Sequence, residues 1–301
     1  MMMHDETVSD DFRSGYIAIV GAPNAGKSTL LNRMLGQKIA ITSSKPQTTR
    51  NRILGVVHRA GSQMVFFDTP GIHRSDKPLN FRMVDGAVSA MGDTDLVLVM
   101  IDAASPDKRA ENLMIEKLSG LGKPAVLALN KIDLLDKAAL LPLIQGWKDR
   151  YAFEDIVPIS AKKGTQIDLL LDAMERQLPL GPPFYPEDML TDLPMRFLVA
   201  ELVREKIFRA TGDEIPYAVA VVVDSFEKEK RRTYIEATIH VERKSQKGII
   251  IGKGGQKLKE IGEKARAEIE SLLEDRVYLK LFVRVQKKWS SDLRVLQEFG
   301  Y

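Results

Sequence analysis

A glycine-rich segment near the N-terminus has the spacing of a phosphate-binding loop. Its sequence, GAPNAGKS, runs from Gly21 to Ser28, between a predicted strand over Tyr16–Val20 and a helical pattern over residues 29–35. Glycines let a backbone wrap closely around a phosphate, and the N–H groups at a helix start supply positive potential. Lys27 is expected to reach the β- and γ-phosphates, and Ser28 to ligate Mg²⁺. The predicted contacts are Gly21, Ala22, Pro23, Asn24, Ala25, Gly26, Lys27, Ser28 and Thr29.

An aspartate closes the apolar run Met64–Phe67, in the sequence Asp68-Thr-Pro-Gly71. A D-x-x-G segment alone describes a simple turn. After a phosphate loop and a buried strand, it predicts that Asp68 holds Mg²⁺ and that the N–H of Gly71 senses a γ-phosphate. The two segments together therefore indicate a nucleoside triphosphate bound with Mg²⁺.

A third polar segment, Asn130-Lys-Ile-Asp133, follows an apolar run and indicates which base is bound. The Asp133 carboxylate can accept hydrogen bonds from both N1–H and N2–H₂ of guanine. Adenine offers no such pair and would leave a buried acceptor unsatisfied, at a cost of about 1–3 kcal/mol. Asn130 is expected to reach the other edge of the base, and Lys131 to cover its ring. The segment favours GTP over ATP, and a backbone N–H of the segment Ser160, Ala161 and Lys162 is expected to face guanine O6.

The residues that would complete the Mg²⁺ shell and assist hydrolysis are less well defined. The segment KPQTTR offers two threonines, of which Thr49 is preferred as the Mg²⁺ ligand while Thr48 stays open. Many GTPases place a water-orienting glutamine directly after D-x-x-G, but here that residue is Ile72. Hydrolysis is therefore expected to be slow or assisted. Asn24 is a candidate ligand for an activating K⁺, although a loop-shaping role is equally consistent. The residues assigned to catalysis are Lys27, Asn24, Thr49 and Gly71.

The polar motifs described above lie between apolar runs that alternate with helical stretches, and these elements must position them. The runs are Ile17–Gly21, Met64–Phe67, Leu96–Ile101, Ala125–Leu129 and Ile156–Ile159. They are apolar nearly throughout, which is typical of strands buried on both faces of a mostly parallel sheet. The predicted fold is therefore an α/β, doubly wound P-loop domain.

Composition indicates a reducing environment and two domains. The chain has 301 residues, no cysteine and four scattered histidines, which excludes disulfides and thiolate metal sites. The N-terminus is acidic and polar, and the longest apolar runs are too short to cross a bilayer. Five of the 14 prolines fall within residues 178–194, which predicts a linker there. The predicted organisation is a disordered tail over 1–15, a GTPase domain over 16–180, a linker over 181–194 and a second domain over 195–301.

The second domain has an α+β pattern and a positive charge excess. Helices are predicted over Met195–Arg209 and Gln256–Leu273, and strands over Tyr217–Val223, Tyr234–Val241 and Val277–Val285. Residues 191–301 carry 22 Lys and Arg against 18 Asp and Glu, whereas the whole chain has a net charge of +3. The excess suggests a polyanionic partner for this domain.

A glycine turn, Gly252 to Gly255, follows an apolar run and opens the predicted helix of this domain. This is the layout of the K-homology clamp, where a G-x-x-G loop lets a nucleic-acid backbone approach closely. Six basic residues against one acid lie within residues 240–259. A lone G-x-x-G can be a helix-entry turn, but with this charge it predicts RNA binding. The predicted RNA contacts are Gly252, Lys253, Gly254, Gly255, Lys257, Lys244 and Lys247.

The motifs together resemble those of the Era family, bacterial GTPases with a C-terminal type II KH domain. The resemblance covers nearly all of the chain from Tyr16 onward and rests on GAPNAGKST, PQTTR, FDTPGIH, NKID, SAKKG, IIGKGGQKLKEIG and KKWSSD. It implies a GTPase that binds the 3′ end of small-subunit (16S) ribosomal RNA in its GTP state and acts in small-subunit assembly. It also implies a mainly cytoplasmic protein with a peripheral fraction at the inner membrane.

Two alternatives remain at the level of the sequence. Ile72 is compatible with a nucleotide-gated scaffold that barely hydrolyses GTP. The second domain could also bind protein or membrane instead of RNA. Turnover measurements and the salt dependence of RNA affinity separate these alternatives.

Overall fold

The computed structural model describes residues 11–43, 50, 52–71, 89–212 and 215–299, apart from the side chains of Tyr217 and Leu293. These residues form two compact units. The first unit holds the described residues up to Gln37 and from Arg50 to Asp192. The second holds Lys38 to Ser43 and the chain from Leu193 onward. The chain therefore enters the second unit twice, after Gln37 and after Asp192, and returns to the first unit once in between, before Arg50.

The first unit is built on a six-stranded sheet of order β2-β3-β1-β4-β5-β6. All neighbours are parallel except β2, which is antiparallel to β3. Strands β1, β3, β4 and β5 are buried almost throughout, as predicted from their continuous apolar runs. The strands are β1 Arg13–Gly21, β2 Ile53–Arg59, β3 Ser62–Asp68, β4 Leu96–Asp102, β5 Ala125–Asn130 and β6 Asp155–Pro158.

Helices connect the parallel strands and cover the sheet. Residues Val97, Leu127 and Trp147 belong to one buried cluster that joins the strands to the helices. Because strands β1, β3, β4 and β5 run parallel, their carboxyl ends meet at one edge of the sheet, where Gly21, Asp68, Asp102 and Asn130 are found. The helices of this unit are α1 Lys27–Leu35, α2 Lys108–Leu121, α3 Leu140–Lys148 and α4 Ile167–Glu175.

Two features of the first unit differ from the sequence prediction. Strand β2 was not predicted, and β1 begins at Arg13, inside the predicted tail over residues 1–15. The start of β1 is held by pairing with β3, where Arg13 lies opposite Ser62, and by the Ser14 hydroxyl, which donates to Pro182 O at 2.6 Å.

The predicted proline-rich linker over 181–194 packs on the first unit as far as Asp192. The Gln63 side chain accepts from the N–H of Phe184 at 2.7 Å, and Val56 N–H donates to Leu190 O at 2.9 Å. The ring of Phe184 stacks on Tyr16 with centroids 4.9 Å apart. Proline limits the conformations of the segment, and these contacts then fix it along the sheet.

The second unit places its helices against a three-stranded sheet of order β7-β8-β9. Strands β7 and β8 form an antiparallel hairpin, and β9 runs parallel to β8. Val221, Ile235 and Ile261 are among the side chains of its buried core. Its elements are α5 Met195–Ala210, β7 Val219–Glu229, β8 Arg232–Val241, α6 Lys244–Ile251, α7 Gln256–Leu273, β9 Val277–Val285 and α8 Leu293–Glu298.

Helix α7 and strand β9 have the predicted bounds, whereas α6 was expected only as an apolar run. The start of α6 is set by the Gln246 side chain, which accepts from the backbone N–H groups of Glu242 and Arg243, each at 2.9 Å. This contact satisfies N–H groups at the helix start that have no partner within the helix.

Residues Lys38 to Ser43 belong to the second unit, where Lys38 forms ion pairs with two glutamates. The Lys38 ammonium lies 2.8 Å from a Glu205 carboxylate oxygen and 2.7 Å from Glu268. Glu205 is fully buried, and Lys206 is also ion-paired to it. A buried carboxylate needs such partners, because an unpaired charge inside a protein is strongly destabilising.

No helix among the described residues is long and apolar enough to span a membrane.

Candidate nucleotide and RNA sites

The phosphate loop lies where β1 ends at Gly21 and α1 begins at Lys27. A Cβ on Gly21 would lie 2.4 Å from the carbonyl oxygen of Met100. A Cβ on Gly26 would lie 2.4 Å from the Asn130 side-chain nitrogen, and Gly26 has a φ of +103°. Both positions therefore require glycine, for packing at the first and for packing and backbone conformation at the second.

Lys27 is buried beneath this loop. Its Nζ donates to the carbonyl oxygens of Gly21 and Ala22, at 3.1 and 3.0 Å. Burial lowers the pKa of Lys27 to about 8, although the nearby Asp68 carboxylate acts in the opposite direction. The ammonium form of Lys27 is therefore less stable than that of an exposed lysine, and an anion beside Nζ would stabilise the ammonium form.

We expect GTP affinity to decrease as the pH rises above about 8, the pKa of Lys27. Below that pH the side chain is already charged in the free protein. Above it, binding of the anionic phosphates must take up a proton, so the affinity should approach a decrease of about tenfold per pH unit. Titration calorimetry at several pH values measures this. Lys27→Arg keeps its charge in this range and should show a flatter profile, whereas equal slopes would contradict a role for Lys27 ionisation.

Ser28 and Asp68 form a hydroxyl–carboxylate pair beside the loop. The Ser28 hydroxyl donates to Asp68 Oδ2 at 2.6 Å, and Asp68 is fully buried at the end of β3. Hard oxygen ligands of this kind suit Mg²⁺, which is commonly held by one or two protein oxygens together with substrate phosphates. Among the described residues no cluster of three His, Cys, Asp or Glu side chains could hold a metal ion. The Ser28 hydroxyl and the Asp68 carboxylate are the oxygen ligands that the described residues offer to Mg²⁺ beside the phosphate loop.

Gly71 lies directly against the phosphate loop. A Cβ at this position would be 2.7 Å from the backbone nitrogen of Pro23. Only glycine lets the chain after β3 approach the loop this closely. Thr49 and Thr48, the two candidate Mg²⁺ ligands, lie outside the described residues, as does Ile72, which stands where many GTPases have a glutamine.

Asn130 connects two loops of the predicted base site. Its Nδ2 donates to Ala25 O at 2.7 Å, and its Oδ1 accepts from the N–H of Ala161 at 2.9 Å. The prediction that Asn130 reaches the base did not include this bridging role. A signal was present, because a buried asparagine after a strand must satisfy both ends of its amide. If the backbone N–H predicted to face guanine O6 is that of Ala161, it would have to share or break its bond to Asn130.

The remaining base-site residues are held in ordered conformations. Lys131 has a left-handed φ of 67°, and its ammonium pairs with Asp102 at the end of β4. Arg33 of α1 donates from Nη2 to Lys162 O at 2.7 Å. Asp102 and Arg33 were not predicted from the sequence, since neither belongs to a recognisable motif. Both act on other residues of the site.

Asp133 is placed as an ionised acceptor. Its Oδ1 accepts from the Ser160 hydroxyl at 2.7 Å, and this bond lowers the pKa of Asp133. The carboxylate therefore stays charged near neutral pH and can accept hydrogen bonds from a base. Ser160 is fully buried, so the hydroxyl that orients Asp133 is itself fixed.

The glycine loop of the second unit joins α6 to α7. Gly252, Gly254 and Gly255 have φ values of 71°, 59° and 80°. A Cβ on Gly252 would lie 2.7 Å from Lys257 Cβ, whereas a Cβ on Gly254 or Gly255 would meet no atom within 4 Å. The loop is thus tight on its inner side and open on its outer side.

Basic side chains lie in this loop and on the helices that flank it. Lys253 lies within it, Lys244 and Lys247 are on α6, and Lys257 is on α7. Lys244 and Lys253 are exposed, and Lys247 and Lys257 are half-buried. The predicted RNA contacts therefore lie in this loop and on its two flanking helices, with Lys244 at the end of α6 away from the loop. Trp289 is fully buried, and its indole N–H donates to Ala218 O at 3.2 Å, so it offers no ring for base stacking.

Comparison with known proteins agrees with both sites. Residues 16–131 match the family described as 50S ribosome-binding GTPase, and residues 214–290 match the KH domain. The GTPase Era of Geotalea uraniireducens is 54% identical over 291 residues, which is 96% of this chain and 98% of that protein. The chain belongs to the Era family of GTPases. GTPase Era of Geobacter metallireducens is also 54% identical, over 96% of this chain and 98% of its own.

Two solved structures of Era are similar to this chain over nearly its whole length. A variant of Aquifex aeolicus Era bound to GDP·AlF₄⁻ matches with a TM-score of 0.93 and 42% identity, covering 96% of this chain and 99% of that one. Era in complex with MgGDPNP and nucleotides 1506–1542 of 16S ribosomal RNA matches equally well. The first unit is thus a P-loop GTPase domain and the second contains a KH domain. The protein is a GTPase, which confirms the fold and the activity predicted from its motifs.

Proposed function

We propose that this Era-family GTPase binds the 3′ region of small-subunit ribosomal RNA through its KH unit and acts in assembly of the small subunit. The observation that carries the proposal is the loop Gly252–Gly255, which is open on its outer side and flanked by lysines. A nucleic-acid backbone can approach such a loop closely, while neighbouring cations neutralise its phosphates.

The Era complex with 16S nucleotides supports this choice of RNA, since it resembles this chain over both units at 42% identity. The family matched by residues 16–131 is named for the 50S subunit, but that match covers only part of the first unit. The relative that spans both units has greater weight, because the RNA contacts predicted here lie in the second.

For the nucleotide site we propose the roles that the geometry supports. The phosphate loop with Lys27 would hold the phosphates, and Ser28 and Asp68 would contribute to the Mg²⁺ shell, with Thr49 as a further ligand. Asp133 would select guanine. Mg²⁺ neutralises charge on the phosphates when it is bound.

We also propose that K⁺ accelerates hydrolysis through Asn24, which lies in the phosphate loop with a left-handed φ of 62°. Replacing K⁺ by Na⁺ should lower turnover by about tenfold or more, since a correctly placed cation stabilises charge that develops on the phosphates. Asn24→Ala should remove the difference between the ions. Phosphate release assays in matched KCl and NaCl measure this, and equal rates in the two salts would leave Asn24 a loop-shaping role only.

Coupling between the sites would use the chain segment after α1. Residues Lys38 to Ser43 belong to the second unit, and the chain has returned to the first unit by Arg50. The predicted Mg²⁺ ligand Thr49 lies next to this return. Binding of Thr49 to Mg²⁺ would therefore act on a segment whose other end is fixed to α5 and α7 by Lys38.

A pair of substitutions at Gly254 tests RNA binding. Its φ of 59° is tolerated by Asn and Asp, and a Cβ there meets no atom within 4 Å, so both variants should fold. Gly254→Asp places an anion on the open side and should weaken binding of a labelled 3′-end 16S fragment by about tenfold or more. Gly254→Asn, with nearly the same shape, should bind more tightly than Gly254→Asp.

Fluorescence anisotropy at several salt concentrations measures both affinities and the salt slope. The expected affinity for RNA falls as salt rises, because bound phosphates release counterions. Equal RNA affinities of the Asp and Asn variants would contradict the proposal that the loop Gly252–Gly255 binds the RNA backbone. Absence of RNA binding by the native chain would instead favour a protein or membrane partner for the KH unit. The cytoplasmic location with a peripheral membrane fraction remains a prediction.

A further inference from the structure

Two of the three backbone N–H groups in the base-site segment 160–162 already have partners within the protein. That of Ser160 donates to Thr165 O at 3.2 Å, and that of Ala161 donates to Asn130 Oδ1 at 2.9 Å. The N–H of Lys162 has no hydrogen-bond partner among the described residues. The Lys162 N–H can therefore bind guanine O6 without giving up a bond within the protein.

Arg33 holds the same segment by its carbonyl groups. It lies in the last turn of α1, and its guanidinium donates from Nη2 to Lys162 O at 2.7 Å. A longer contact of 3.4 Å joins Arg33 Nε to Ala161 O. Gly164 packs beside the same guanidinium, since a Cβ on it would lie 3.7 Å from Arg33 Nε. One planar group with donors at fixed spacing thus holds two successive carbonyls of the segment.

The direction of a peptide N–H follows from the carbonyl that shares its peptide bond. A trans peptide is planar, and its C=O and N–H point to opposite sides. Because Ala161 O faces Arg33, the N–H of Lys162 in the same peptide points away from Arg33. The segment also begins beside the proposed guanine acceptor, since the Ser160 hydroxyl donates to Asp133 Oδ1 at 2.7 Å. Guanine carries O6 next to N1–H, so a donor for O6 belongs beside Asp133.

We propose that Arg33 is a positioning residue for guanine recognition, which holds the carbonyls of Ala161 and Lys162 so that the N–H of Lys162 faces O6. The inference rests on the proposed selection of guanine by Asp133. Arg33 acts through the backbone of the segment and not on the nucleotide itself. Because α1 begins at the phosphate loop, this one helix links the residues that hold the phosphates to the donor that reads the base.

The nucleotide 6-thio-GDP isolates the contact to O6. Its sulfur replaces O6 and is a weaker hydrogen-bond acceptor, whereas the N1–H and N2–H₂ donors that face Asp133 are kept. Titration calorimetry at pH 7 with Mg²⁺ should show that the native chain binds GDP about tenfold more tightly than 6-thio-GDP. Equal affinities of the native chain would remove the proposed O6 contact itself, and the role of Arg33 with it.

Substitutions of Arg33 test its role separately. Arg33→Met keeps a long side chain and removes the donors, so it should lower GDP affinity about three- to tenfold, the range for one net hydrogen bond. The affinity for 6-thio-GDP should fall much less. Arg33→Lys, with a single ammonium, should lie between the native chain and Arg33→Met. Arg109→Met is the matched control, because Arg109 is an exposed arginine of α2 whose side chain has no hydrogen bond or ion pair within the described part of the chain.

The ratio of the two affinities distinguishes positioning of the segment from a general effect on α1. A general loosening of the helix would weaken GDP and 6-thio-GDP by the same factor, and that result overturns the proposal. It is equally overturned if Arg33→Met binds GDP as tightly as Arg109→Met does. Circular dichroism of each variant establishes that it is folded. If Arg33→Met does not fold, Arg33→Lys gives the same comparison of the two nucleotides.

Discussion

Replacing Lys27 by Ala is expected to lower kcat/KM for GTP by about 10²–10³-fold, the loss typical of removing one preorganised donor from a transition state. Lys27 is buried below the phosphate loop, and its ammonium donates to two carbonyls of that loop. No other lysine or arginine among the described residues donates to Gly21 or Ala22 carbonyls. Alanine would therefore remove both the charge and a fixed position for it.

Steady-state phosphate release with Mg²⁺ and K⁺ measures this effect. Lys137→Ala is the matched control, because Lys137 is an exposed lysine of the same unit outside the site. It should hydrolyse GTP like the native protein. A Lys27→Ala variant with activity close to that of Lys137→Ala would show that the loop carbonyls are the only partners that matter to this lysine.

Replacing Asp133 by Asn is expected to change the preferred base from guanine to xanthine. The ionised carboxylate would accept from N1–H and N2–H₂ of guanine, whereas an asparagine amide would accept from N1–H and donate to the O2 carbonyl of xanthine. A site built around hydrogen bonds rejects an analogue that leaves its groups unpaired, so GTP affinity should fall by at least about 100-fold. The affinity for XTP should rise correspondingly.

Competition binding with GDP and XDP gives both affinities. Asp136→Asn is the control, since Asp136 is an exposed carboxylate three residues further along the chain. It should keep the preference for guanine. If Asp133→Asn also kept that preference, base selection would have to come from the segment at Ser160 to Lys162 instead.

The parts of the fold predicted from the sequence are those with a continuous apolar pattern. Buried strands such as Leu96–Asp102 cannot alternate with polar residues, because both faces of the sheet are covered by helices. Strand β2 was missed, although its residues Ile53–Arg59 are largely apolar. The signal for it was the short connection around Gly61, which joins β2 to β3 as a hairpin.

The candidate site was predictable where chemistry limits the choice of residue. Gly26 and Gly71 fit only as glycine, and Lys27, Ser28 and Asp68 follow from the spacing of their motifs. The packing of Asn130 between Ala25 and Ala161 could not be located from spacing, because it depends on loops that are far apart in the sequence. The same holds for Lys38, whose partners Glu205 and Glu268 lie more than 150 residues away.

Coupling between the two units can be measured as GTP hydrolysis in K⁺ buffer with and without a short RNA that matches the 3′ end of small-subunit ribosomal RNA. The native chain is compared with Gly254→Asp and Gly254→Asn under the same conditions. RNA should accelerate turnover of the native chain and of Gly254→Asn, whereas Gly254→Asp should lose the acceleration and keep its basal rate. An RNA that binds without changing the rate, or an equal acceleration of all three proteins, would contradict coupling through the KH clamp.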